Sequence, residues 1–129
     1  MKLLAIAAAA FAVAAPSKTV QLALVHAVSG CHVWQVGPRT AGATATIRLK
    51  RGDRIQLRVN CPMQFRIELL RGPNLAFGDA RFDPGTLRSI VFAKKGVYVL
   101  RATNLQSSEQ VGLQTLGADN TPTLTVRVS

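Results

Sequence analysis

Beyond residue 19 the chain alternates apolar and polar side chains with a period of two, the signature of extended strands with one buried face. Val20, Leu22, Leu24, His26 and Val28 fall on one side of a first predicted strand, which Gly30 ends. Cys31 to Val36 reads as a second short strand closed by Gly37-Pro38, and Arg39 to Ala43 as a loop of small residues. Ile47 and Leu49 alternate with Arg48 and Lys50, and Ile55, Leu57 and Val59 with Gln56 and Arg58. Between them lies Arg51-Gly52-Asp53-Arg54, so this stretch predicts a hairpin with Arg48, Lys50 and Arg58 on one outer face and Arg66 nearby. Asn60-Cys61-Pro62 interrupts the ladder, because proline has no N–H to donate. Phe65, Ile67 and Leu69 resume the alternation, turns follow at Arg71-Gly72-Pro73-Asn74 and Asp83-Pro84-Gly85, and Leu75 to Phe82 between them reads as irregular. Strands are predicted over Leu87–Phe92 and Val97–Thr103, around Lys94-Lys95-Gly96. A long polar connection, Leu105 to Asn120, precedes a closing strand bearing Leu124, Val126 and Val128.

Seven or eight short strands with turns between them, and no convincing helical period, predict an all-β fold, a Greek-key β-sandwich. The first fifteen residues stand apart. Lys2, an apolar run from Leu3 to Ala15, and the small-x-small triplet Ala12-Val13-Ala14 form a signal-peptide pattern. The run is shorter than the roughly 20 residues a membrane-spanning helix needs, so no transmembrane anchor is expected. Residues 1–15 are therefore read as a signal peptide and 16–129 as one domain, located in the periplasm, the cell envelope or outside the cell.

Sixteen Lys and Arg against six Asp and Glu leave a net charge of +10, or +9 once Lys2 is removed. That balance favours an acidic protein or an anionic surface polymer as partner, and Arg48, Lys50, Arg58 and Arg66 are the predicted face for it. Nucleic acid is disfavoured by export and by the scarcity of aromatic side chains. As an ordinary surface, the same face is a solvated sheet that discourages edge pairing. The six acids are scattered, mainly at turns, and no phosphate loop, His-Glu-x-x-His or Gly-x-Ser-x-Gly motif occurs. Binding rather than catalysis is expected.

Three segments resemble the cupredoxin superfamily. Leu49 to Asn60 resembles the strand-turn-strand that leads into the first copper-ligand loop. Phe92-Ala93-Lys94-Lys95-Gly96-Val97-Tyr98 resembles the strand before the second ligand loop, and Thr123 to Val128 resembles the closing strand. Gly30-Cys31-His32-Val33-Trp34 is similar to a segment of small exported cupredoxin-like proteins. An immunoglobulin-like sandwich also fits Val97 to Asn104, with Tyr98 as a corner tyrosine. The resemblance implies a cupredoxin-like sandwich that has lost the family's blue-copper site. The loop from Thr103 to Asp119 contains no Cys, His or Met, and the first ligand loop reads Cys61-Pro62-Met63-Gln64-Phe65 where a His is usual.

Soft donors nevertheless remain. His32, Met63, Cys61 and His26 are the candidate ligands of a non-blue copper site, since imidazole, thioether and thiolate favour Cu(I) over hard cations. Met63 lies where the resemblance places a copper ligand. Each also has an ordinary reading: His26 as a hydrogen-bonded core residue, His32 as a partly exposed histidine beside Trp34, Met63 as core filler. Cys31 and Cys61 are the only cysteines, and in an exported chain they could instead form a disulfide worth roughly 3 to 4 kcal/mol. The expected function is thus an exported cupredoxin-like domain binding copper or, alternatively, a metal-free interaction or adhesion module with a basic face.

Overall fold

A computed structural model describes residues 17–26, 32–78, 80–105 and 121–129. The signal-peptide segment and Cys31 lie outside the described residues, as does most of the connection before the last strand. Ten strands run in chain order: β1 (Thr19–His26), β2 (His32–Val36), β3 (Arg39–Gly42), β4 (Thr44–Leu49), β5 (Arg54–Asn60), β6 (Phe65–Arg71), β7 (Arg81–Phe82), β8 (Leu87–Val91), β9 (Gly96–Asn104) and β10 (Thr123–Val128). They form two five-stranded sheets, β3-β2-β1-β5-β8 and β4-β10-β9-β6-β7, packed as a sandwich. The all-β sandwich expected from the alternation is the observed fold. Both sheets are mixed, because β1 runs parallel to β5 and β10 parallel to β4 while the other pairs are antiparallel. Arg39–Gly42, expected to be a loop, is an edge strand paired with β2 through an irregular register at Trp34/Gln35.

The predicted hairpin does not form. Ala45, Ile47 and Leu49 on β4 are buried, and so are Ile55, Leu57 and Val59 on β5, but the two strands belong to opposite sheets. Alternation requires one buried face per strand; it does not say from which side of the core that face comes. The Lys50–Asp53 turn therefore carries the chain across the sandwich. The Asp53 carboxylate accepts the backbone N–H of Lys50 (2.8 Å) and of Lys18 (2.9 Å). The N–H of Gly52 donates to the Phe92 carbonyl and that of Arg51 to the Ser129 carbonyl. One turn thus ties together β1, β8 and β10. The shared basic face falls with the hairpin: Arg48 and Arg66 lie on one sheet and Arg58 on the other, with Lys50 in the crossing between them.

The core lies between the sheets. Leu22, Leu24, Trp34, Ile55 and Leu57 enter from one side, and Ile67, Leu100, Val126 and Phe65 from the other. Tyr98 donates its hydroxyl to the Lys94 carbonyl at 2.6 Å and sets its ring edge-on to Phe92. This is the corner-tyrosine arrangement, pinning the start of β9 to the turn before it. At Gly72 (φ +114°) a Cβ would come within 2.7 Å of the Val97 carbonyl oxygen, so the β6 exit passes too close to β9 for any side chain.

Candidate functional site

The candidate ligands gather at the end of the sandwich away from Asp53. His26 is the last residue of β1 and His32 the first of β2, and the antiparallel register makes them direct partners. Their side chains therefore share a face, and their rings stack with centroids 4.9 Å apart and planes 12° from parallel. His32 also meets the Phe65 ring edge-on at 5.0 Å. Phe65 opens β6 and pairs with Asn104, the last residue of β9. Asn104 in turn donates its side-chain amide to the Met63 sulfur at 3.1 Å. This chain of contacts links His26, His32, Phe65, Asn104 and Met63 across both sheets. Cys61 follows Asn60, which pairs with Val25 beside His26.

Burial reverses two ordinary readings made from the sequence. His26, expected in the core, is exposed, whereas His32, expected to be partly exposed, is 2 % exposed. Both residues lie on the inward-facing register, but β1 outruns the core by one position while β2 enters it at its first. Among the described residues neither ring nitrogen of His32 has a hydrogen-bond partner, and the indole N–H of neighbouring Trp34 has none either. A buried imidazole without a partner costs stability, because each ring nitrogen has given up its bond to water. Burial, and next the repulsion of His26, lower the His32 pKa below the ordinary histidine value, so the ring is neutral near pH 7 with a lone pair available. Cys61 is a buried free thiol; burial raises its pKa against a weaker opposing contribution from the Met63 backbone N–H. Its proposed disulfide partner, Cys31, lies outside the described residues.

Whether this end suits a metal depends on its donors. Among the described residues, no three His, Cys, Asp or Glu side chains come close enough together to hold a metal ion. His26, His32 and Cys61 thus do not form a ready three-ligand cluster; this end carries two stacked imidazoles, and the Met63 thioether is connected to His32 only through Asn104 and Phe65. Asn104 was missed by the sequence reading. Its signal was present, since Tyr98, Leu100, Ala102 and Asn104 occupy alternate positions, which makes Asn104 a polar residue on an inward face.

No family model and no curated protein matches this chain. Among solved structures it is similar to a cysteine protease inhibitor from Entamoeba histolytica, at 12 % identity over 90 % of this chain and 100 % of that one, with a TM-score of 0.50. It is also similar to a purple cupredoxin from Nitrosopumilus maritimus, at 14 % identity over 88 % of this chain and 100 % of that one, with a TM-score of 0.47. Amicyanin matches at 13 % identity over 92 % of this chain and 88 % of that one, with a TM-score of 0.45. Cupredoxins are thus among the structures this chain is similar to. At these identities a likeness concerns the fold and transfers no activity. Among the described residues no helix is long and apolar enough to cross a membrane.

Proposed function

We propose that the protein is an exported, non-enzymatic binding domain that takes up copper(I) at the His26–His32 end of the sandwich. The observation that carries this reading is His32: a neutral imidazole, 2 % exposed, with both nitrogens unpartnered, under a second histidine. A soft cation would give the ring the partner that its burial removed. Met63 is the soft donor connected to His32 through Phe65 and Asn104, and Cys61 lies two positions before it in sequence. His26 joins as the exposed donor through which an ion would enter. The N-terminal signal pattern and the absence of enzyme motifs support export and binding.

The test is native and denaturing intact mass of protein recovered from a periplasmic expression host, before and after copper(I) is offered. The expected result is loss of the first fourteen or fifteen residues and a one-to-one copper adduct that His32→Ala or Met63→Ala abolishes. Processed protein that takes up no copper overturns the reading. The denaturing mass also separates free thiols from a Cys31–Cys61 disulfide, which is two hydrogens lighter.

A further inference from the structure

The far end of the second sheet carries a different feature. Arg48 on β4 and Arg127 on β10 are direct partners in parallel register, and Arg127 faces Val97 on β9. All three are exposed. With Lys95 and Ser129 they line an open groove of about 570 Å³. Lys18 reaches across from the start of β1, bringing its ammonium to 3.4 Å from the Arg48 carbonyl. Like charges placed directly opposite on neighbouring strands are unfavourable. The same sheet also contains the favourable alternative, because Arg101 faces Glu68 across β9 and β6, 3.7 Å apart. The two ion pairs found among the described residues, Arg101–Glu68 and Arg81–Asp83, include none of the groove's cations. Asp53, the acid nearest in sequence to Arg48, turns its carboxylate to the backbone N–H groups of Lys18 and Lys50.

We infer that this groove binds a linear acidic glycan through its sulfate or carboxylate groups. Paired guanidinium forks match such planar or tetrahedral oxyanions and hold them by charge-assisted hydrogen bonds. Next to the arginine row the same two strands present hydroxyls in register, Thr46 beside Thr125 and then Thr44 beside Thr123. A saccharide lying along the strands would meet charge first and hydroxyl partners after it. A nucleic-acid strand fits less well: Trp34, Tyr98, Phe65, Phe82 and Phe92 are all buried, leaving no stacking platform in the groove. An anionic membrane also fits less well, since Val97 is the groove's only exposed large apolar side chain.

The test is isothermal titration of metal-free protein, at about 0.15 M salt, with a heparin oligosaccharide and with a hyaluronan oligosaccharide, the first carrying sulfates and the second carboxylates alone. Single-stranded oligonucleotide and anionic lipid vesicles are run alongside. The wild type is expected to bind at least one of the two glycans, and which one identifies the oxyanion. Arg48→Gln/Arg127→Gln is expected to weaken that binding by roughly 100-fold, the loss of two charge-assisted contacts. Arg54→Gln/Arg58→Gln removes the same charge from the outer face of the other sheet and is expected to change it less than about twofold if contacts rather than total charge decide affinity. Equal weakening by the two double variants, no binding of either glycan, or tighter binding of the oligonucleotide or the vesicles overturns the inference. His32→Ala leaves glycan binding intact, so the outcome is independent of copper.

Discussion

At the Asp53 end of the sandwich each buried polar group described has its partner; at the His32 end several have none. The Asp53 carboxylate accepts two backbone N–H groups, and the Tyr98 hydroxyl meets the Lys94 carbonyl at 2.6 Å. Across the core, both nitrogens of His32 and the indole N–H of Trp34 stand buried without partners among the described residues. The apolar packing does not differ in the same way, since Trp34 at one end and Phe92 at the other are both fully buried. The contrast is one of polar satisfaction. At one end the buried polar groups are satisfied, while at the other they carry a cost in stability that no partner among the described residues offsets.

Three kinds of measurement break or sharpen this contrast. The largest effect is expected from Trp34→Ala. Trp34 is fully buried, so removing its indole should cost roughly 3–5 kcal/mol in urea unfolding. A loss below about 1 kcal/mol would show that this end is loosely packed, and the contrast would then be one of order rather than of polar partners.

A smaller effect, opposite in sense at the two ends, is expected from removing polar atoms. Tyr98→Phe deletes a made hydrogen bond and should cost about 1 kcal/mol. His32→Leu deletes two unmade ones and should leave metal-free protein unchanged or more stable by up to about 1 kcal/mol. The same variant should lose any rise in melting temperature that copper(I) gives the wild type. Equal destabilisation by both substitutions would show that His32 has structural partners after all.

The smallest effects are in pH dependence. His32 is a base whose pKa is lowered in the fold, so the unfolded chain binds more protons between the lowered value and the ordinary 6.5. The stability from keeping this ring neutral is present above pH 6.5 and is lost as pH falls through that interval. Asp53 is an acid whose pKa is lowered, chiefly by the backbone N–H of Lys50 and then that of Lys18. Asp53 is only 5 % exposed, and burial opposes the shift less than either of these two hydrogen bonds favours it. Its contribution is present above the ordinary 3.8 and is lost only as pH falls below it. The two ends should therefore fail in separate acid windows in a melting profile. His32→Leu should remove the upper step and Asp53→Asn the lower one.

Much of this was legible in the sequence because a strand's inward face is a local property. The period of two located most of the strands, the inward register of Leu22 and Leu24, and the shared face of His32 and Trp34. Side-chain chemistry and the family resemblance, rather than the period, named His32, Met63, Cys61 and His26 as candidate soft donors. The period misplaced Arg39–Gly42, whose small residues carry no alternation, and it overlooked Asn104, a single polar residue at the end of an apolar row. The basic face was drawn from Arg48, Lys50, Arg58 and Arg66 because β4 and β5 read as a hairpin. The groove in the structure instead joins Arg48 to Arg127 and Lys95, far apart in sequence.

What the sequence determined by itself was the kind of element at most positions, the side of each strand that must be buried, and the chemistry its side chains can offer. Tertiary structure alone decided which sheet each strand joined, and with it which charges and ligands became neighbours. The reason is that alternation is set residue by residue, whereas strand partners are set by long-range pairing. Gln21 bonds Gln56 across 35 positions, and Lys18 reaches Arg48 across 30. Hence β4 could turn away from β5 without changing one apolar position. For the same reason, the burial of His32 beneath an exposed His26 was settled only when β1 and β2 met at the edge of the core.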